Sequence, residues 1–357
     1  MMFKAFNNDR GVALLITLSI ITVLVVITLE LNRKARYTAI SAALNRDRLT
    51  LNYMASAGIQ AGMSLLVKDK KDSDADFLQE DWSNPEKIGQ LLEEIPFERG
   101  QVGLKITDEL GKIQVNALVS FPEGQNFNAQ QEQLWIRFLE QFISQDMDAE
   151  DLKPTAIVNS IKDWLDSGDD DAITGLQGAE SDYYQSLDPP YPCKNNPLDH
   201  LGELVLIKGI NPDLFYSQET TTGISQYLTV YGMTDLGGNA FTYQGKININ
   251  TADPAVIAAI LPAESQDLAQ AMVEYRRETA DLNNLHDLSN PQWYKEIPGL
   301  GNVDIAPQLI RTDSNVFSLE ATATLNAIKA TVNAVVMRER DDKTGQWRCK
   351  VLNWRQN

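Results

Sequence analysis

The sequence predicts an α+β fold in which a long N-terminal helix and a small antiparallel sheet are interrupted by a large α-helical insertion. Three observations predict it. Val12 to Leu29 carries no charge and leads into apolar residues at helical spacing, with no proline before Pro85. Period-two alternation appears in two distant places, Gly100–Leu118 and Val316–Trp354. The chain between them is mainly helical in pattern.

The uncharged run spans about 27 Å as a helix, close to the hydrocarbon thickness of a bilayer. Glu30, Asn32, Arg33, Lys34 and Arg36 follow it directly, where a secretory signal would place a small-residue cleavage site. Lys4 and Arg10 in the short polar head fit a cytoplasmic N-terminus, whereas Arg33, Lys34 and Arg36 on the far side weaken that charge bias. Ala35, Ala39, Ile40, Ala43, Leu44, Leu51, Met54, Ala57, Gly58, Ala61, Gly62 and Leu65 continue the helical period. One helix over residues 12–67 is therefore expected, half in lipid and half packed on a folded body.

Val102, Leu104 and Ile106, then Ile113, Val115 and Ala117, alternate around a polar Asp108–Lys112 turn and predict a hairpin. Val316–Leu325, Ala327–Arg338 and Gln346–Trp354 predict three further antiparallel strands, with turns at Asn326 and at Asp341–Gly345. Helices are expected at Gln131–Ile143, Pro154–Leu165, Pro254–Ile260 and Ser265–Arg277.

The 357 residues exceed one compact core, and 43% hydrophobic against 22% charged residues is the balance of a folding chain. A net charge of −18, from 49 acidic and 31 basic side chains, repels a phosphate backbone, which disfavours nucleic acid and makes divalent cations plausible partners. Cys193 and Cys349 are too far apart in sequence for a CxxC pair, leaving one long-range disulfide or two free thiols open.

Asp163, Asp166, Asp169, Asp170, Asp171, Glu180, Asp182 and Asp188 form the densest carboxylate run, interspersed with Gly168, Gly175 and Gly178. Hard oxygens on such a loop suit Ca²⁺, although a solvated acidic loop has the same composition. Asp169, Asp171 and Glu180 match EF-hand positions one, three and twelve, but Ile173 stands at five and Thr174 at six, so this is no EF-hand. The expected ligands are Asp166, Asp169, Glu180 and Asp188 first, then Asp163 and Asp182. His200 and His286 sit in no catalytic motif, no phosphate-binding glycine loop occurs, and Glu93–Glu94 and Asp341–Asp342 read as exposed charge, so no enzyme is predicted.

The head and apolar helix resemble a type IV pilin-like precursor, whose short basic leader ends in Gly. That resemblance implies cleavage between Gly11 and Val12, with Ile16 at the fifth mature position where most of the superfamily carries Glu; one minor subunit class lacks that Glu. Asp163-Trp164-Leu165-Asp166, Gly178-Ala179-Glu180 before Tyr183-Tyr184, Pro189-Pro190-Tyr191, Asn196-Pro197-Leu198 and Glu203-Leu204 before Gly209 extend the likeness. With them the chain resembles the K-type minor pseudopilins of the type II secretion system over nearly its whole length. Lys246–Ala252 with Pro254, Val256 and Ile257 is similar to that family's second helical unit and to SAM-like and helix-hairpin-helix modules. The alternative is thus a membrane-tethered, DNA-binding or DNA-uptake factor, but Asp253, Glu264, Asp267, Glu274, Glu278 and Asp281 outnumber Arg276 and Arg277 there.

The resemblance implies a leader at 1–11, the pilin helix at 12–67, a pilin-like domain in two parts at 68–120 and 312–357, and the helical insertion at 121–311. It implies Ca²⁺ in that insertion, an inner-membrane anchor with a periplasmic body, and a non-enzymatic tip subunit. Its partners would be a prepilin peptidase, the I-type and J-type minor pseudopilins and secreted protein substrates, and not nucleic acid.

Overall fold

The computed structural model describes residues 9–97, 99–143, 152–167, 173–218, 222–280, 283–284 and 286–356. In chain order the elements are α1 (Asp9–Asp72), α2 (Pro85–Glu93), β1 (Gln101–Asp108), β2 (Ile113–Gln114), α3 (Ala129–Leu139), α4 (Pro154–Leu165), α5 (Ser181–Gln185) and α6 (Pro212–Phe215). There follow β3 (Leu228–Thr229), β4 (Met233–Gly237), β5 (Ala240–Tyr243), β6 (Ile247–Asn248), α7 (Pro254–Ile260) and α8 (Ala269–Arg277). The series closes with β7 (Thr279–Ala280), β8 (Asn283–Asn284), β9 (Ile310–Arg311), β10 (Val316–Leu325), β11 (Ile328–Arg340) and β12 (Trp347–Gln356).

Helix α1 is 64 residues long and changes character along its length. Its first half is exposed: Val12 to Leu49 is open to solvent apart from half-buried Asp47, and burial begins at Leu51. Leu51, Met54, Ala55, Ile59, Leu65 and Leu66 then pack on one face of the sheet with Phe317, Leu319, Ala321 and Val332. Gly62 sits where the helix lies tightest on that sheet. A Cβ there would stand 2.7 Å from Leu319 Cδ2 and 3.0 Å from Leu104 Cδ2, so the absent side chain sets how closely helix and sheet approach. Asn84 caps α2 by accepting bonds from Glu86 N and Lys87 N, with Pro85 in the first turn.

The sheet runs β1-β10-β11-β12 and every pair is antiparallel. Here the expected hairpin over Gly100–Leu118 is corrected. Strand β1 pairs with β10, from Gln101↔Thr324 to Asp108↔Phe317, and not with Ile113–Ala117. The reason lies at the turn. Asp108 Oδ1 accepts from Leu110 N, and Glu109 N donates to Val316 O, so the chain continues the β10 ladder instead of folding back. Residues 113–118 are then buried without alternation, in a β2–β3 parallel pair and a 3₁₀ turn belonging to the second core.

That second core is built by the insertion and begins at Ile113, earlier than residue 121. Trp135, Phe138, Ile161, Trp164, Tyr184, Ile257, Met272 and Trp293 lie inside it. Where the two cores meet, a buried polar network joins them. Arg338 on β11 donates to Leu66 O, Asp69 Oδ2, Asp76 Oδ1 and Ser314 O. Asp76 accepts from Ser314 N, while Asp108 accepts from Ser314 Oγ, Thr251 Oγ1 and Asn248 Nδ2. Burial raises the pKa of Asp69 and Asp76 despite the guanidinium, and raises Asp108 to about 6.

The two cysteines fall on opposite sides of this seam. Cys193 is buried in the insertion core, Cys349 is half-buried on β12, and both are free thiols. The long-range disulfide is therefore not made, because each cysteine belongs to a different core.

Candidate metal centre and membrane segment

Helix α4 positions the carboxylates. Its inward face carries Ile157, Ile161, Trp164 and Leu165, and Asp163 lies on that same buried face. Asp163 is fully enclosed, and its carboxylate accepts from Thr174 N at 3.1 Å and Ala179 N at 2.9 Å, drawing the 174–179 segment back onto the helix. Gly178 permits this approach, since a Cβ there would lie 2.0 Å from Asp163 Oδ2. Burial raises the Asp163 pKa, opposed by the Thr174 bonds and by Lys162.

Asp166 closes α4 as its C-cap and Glu180 precedes α5. Both are buried, and one carboxylate oxygen from each of Asp163, Asp166 and Glu180 lies within 4.8 Å of the others. The Lys162 ammonium bonds Asp166 and stands 3.9 Å from Asp163 Oδ1. Trp164, Tyr184 and Tyr191 wall the site with edge-on and stacked rings. Cys193 Sγ lies 3.5 Å from Asp163 O, and burial followed by Glu180 pushes its thiol pKa up, which keeps it protonated.

Of the expected ligands, Asp163, Asp166 and Glu180 are thus brought together. Asp182, on the outer face of α5, and Asp188, in the loop beyond that helix, are exposed and stand outside this cluster. Asp169 lies outside the described residues. The donor set of hard, buried, converging oxygens fits an oxygen-seeking divalent cation. Sequence reasoning missed Lys162, whose signal was its place four residues before Asp166 on one helix face.

The membrane segment is the second site. Gly11–Asp72 contains an 18-residue window of mean hydropathy 2.9 with none of it buried, long and apolar enough to cross a membrane. The hydroxyls in it are satisfied within the helix: Thr17, Ser19, Thr22 and Thr28 each donate to a carbonyl three or four residues back. Gly11 and Val12 lie inside α1, and Ile16 is exposed on it.

The helix-hairpin-helix likeness at Lys246–Ala252 has a different interior. Arg276 is buried and donates to Ile249 O and Ala252 O, while Asp253 accepts from Ala255 N at the start of α7. A carboxylate already holds the amide end that such modules offer to phosphate.

Residues 111–224 and residues 247–309 match two family models, both described as type II secretion system (T2SS), protein K. The type II secretion system protein K of Klebsiella pneumoniae is 24% identical over 263 residues, covering 72% of each chain. That of Aeromonas hydrophila is 23% identical over 352 residues, covering 94% of this chain and 95% of its own. A chain in the crystal structure of the GspK-GspI-GspJ complex from enterotoxigenic Escherichia coli superposes with a TM-score of 0.63 at 19% identity, over 89% of this chain and 99% of that one. The first match contains the Asp163, Asp166 and Glu180 cluster, and the chain belongs to the type II secretion system protein K family.

Proposed function

We propose that the chain is a minor pseudopilin at the tip of the secretion pseudopilus, acting as a structural subunit and not as an enzyme. The observation that carries it is α1, a single helix uncharged and exposed from Val12 to Leu29 and packed against a sheet from Leu51 onward. Such a helix holds a folded body at a fixed distance from the inner membrane while offering its apolar half to other helices. The body lies in the periplasm.

The tip position follows from Ile16. An aliphatic side chain there leaves a neighbouring N-terminal ammonium without a carboxylate, and an unpaired charge in lipid is costly. A subunit with no neighbour needing that pair belongs at the end of the filament. The bulk of the insertion also obstructs growth beyond it. By likeness to the GspK-GspI-GspJ complex, the I-type and J-type minor pseudopilins are its direct partners.

A prepilin peptidase removes residues 1–11, freeing Val12. Intact-mass measurement of the chain produced with and without that peptidase tests this. Loss of residues 1–11 and gain of one methyl group are expected only with the peptidase. An uncut chain in both conditions would leave a plain signal anchor and remove the pseudopilin assignment.

Ca²⁺ held by Asp163, Asp166 and Glu180 would offset the local excess of negative charge and fix the end of α4 to the start of α5. At one hundred times its Kd it should add about 2.7 kcal/mol of stability. Thermal unfolding in Ca²⁺ and in chelator is expected to differ accordingly, with the difference lost in Asp166→Asn and in Glu180→Gln. Identical unfolding of the parent in both buffers would overturn the Ca²⁺ assignment.

A further inference from the structure

Directly beyond the apolar run stands a group of cations that the assembly role does not use. Arg33, Lys34 and Arg36 are exposed, as is Tyr37. Residues 31–50 hold five basic side chains, these three with Arg46 and Arg48, and one acid, Asp47, in a chain whose net charge is −18. The nearest carboxylate, Glu30, is 4.0 Å from Arg33, and both are about two-thirds exposed, so that pair neutralises little. These cations lie on the far side of the membrane from Lys4 and Arg10, where they oppose the orientation that the charge rule favours.

Resting on the membrane-spanning assignment of α1, we propose that Arg33, Lys34, Arg36 and Tyr37 form a collar that binds the headgroups of anionic phospholipids in the outer leaflet of the inner membrane. Depth supports it. With Leu29 at the edge of the hydrocarbon, Arg33 lies about 6 Å and Arg36 about 10 Å further out, and the headgroup layer is roughly 5–7 Å deep on each side. Helical side chains lean toward the N-terminus, here back toward the bilayer, and long basic side chains reach several ångström further. The Tyr37 ring lies beneath the Arg33 guanidinium at 5.6 Å, as aromatic residues do at the interface.

Direction separates lipid from a protein partner. At 100° per residue the three cations spread over roughly 160° of the helix circumference, whereas a docked helix or sheet would read one stripe. Lipid headgroups surround a single helix on all sides. Arg46 and Arg48 lie roughly 20 Å beyond Arg33, outside reach of the headgroups. The collar sets how deep the helix sits and makes withdrawal from the membrane dependent on lipid charge.

The test titrates the full chain, in detergent, with phosphatidylglycerol and phosphatidylcholine and counts retained lipid by native mass spectrometry. The parent is expected to retain phosphatidylglycerol preferentially. Each cation removed should lower that preference about fivefold, which is about 1 kcal/mol, and Arg33→Gln with Lys34→Gln and Arg36→Gln should abolish it. Arg46→Gln with Arg48→Gln should leave it intact. Equal retention of the two lipids by the parent overturns the proposal, as does equal loss in the two sets of variants, which would indicate general attraction without a set depth. A separate carbonate extraction of membranes distinguishes the underlying assignment: release of the parent chain would show that α1 does not span, and both readings would fall.

Discussion

Arg338→Met is expected to destabilise the protein by about 3–5 kcal/mol, because it keeps the volume of the buried side chain but strands two carboxylates. The side chains of Arg338 and Asp76 are each 1% exposed and that of Asp69 is 7% exposed, so water cannot replace the lost cation. A pH series separates charge from packing. Burial already raises the pKa of both aspartates, and Arg338 is the largest opposing influence on each, so its removal raises them further. An acid with a raised folded pKa binds its proton more tightly when folded, and its contribution to stability declines as pH rises. The deficit of the variant should therefore be larger at pH 8 than at pH 5. A deficit equal at both values, measured by urea unfolding of the full chain in detergent, would assign the loss to packing.

Glu80 adds a term of the same sign in the parent. Its carboxyl is pushed up to about 8, first by desolvation and then by Asp69, against the bonds it accepts from Phe77 N and Trp82 Nε1. Between the ordinary glutamate value and pH 8, stability from this group falls as pH rises.

Gly178→Ala is expected to cost about 3 kcal/mol. Its Cβ would enter a space already held by Asp163 Oδ2 at 2.0 Å and by Thr174 N and O at 2.8 Å. Either the carboxylate moves and loses the amides of Thr174 and Ala179, at about 1–3 kcal/mol, or the segment lifts, with an overpacking cost of similar size. Hydrogen exchange should report the damage locally. Amides of Thr174 and Ala179 lose protection, while those of β10 and β11 keep theirs. Unchanged protection at both amides would show that Asp163 does not hold the segment.

Much of this architecture was legible because local rules and tertiary demands agree. Pro154–Leu165 and Pro254–Ile260 are helices as their spacing and initial prolines predict, and Val316–Leu325 is a strand over the residues whose alternation marks it. The K-type likeness was carried by residues that prove to be packing and cluster positions: Asp163, Trp164, Leu165, Ala179, Glu180 and Leu204 are all buried.

What was missed is long-range. Nothing near Val102–Ile106 reveals that its partner strand lies beyond residue 315, whereas Ile113–Ala117 offered an adjacent and plausible alternative. Arg338 was within reach of sequence reasoning. It falls in phase with Ala330, Val332, Ala334 and Val336 on the buried face of β11, and a charged residue on that phase announces a buried partner. The partners, Asp69 and Asp76, could not be chosen among 49 acidic residues without the fold. The grouping of the carboxylates was hidden for the same reason: counting along the acidic run favours Asp188, but α4 and the Gly178 segment bring Asp163 beside Asp166 and Glu180.

The pairing of β1 with β10 has a temporal consequence. As the chain is made, the insertion core, whose fully buried hydrophobic side chains all lie between Ile113 and Ile310, can form before the last strands exist. The first core cannot. The inward face of α1, from Leu51 to Leu66, must wait for the last forty or so residues before it meets Phe317, Val332 and Val336. The part made first is thus completed last. Until β10–β12 arrive, an apolar helix face stands uncovered just outside the membrane, and any early stop in synthesis leaves a folded insertion tethered to an unfinished frame.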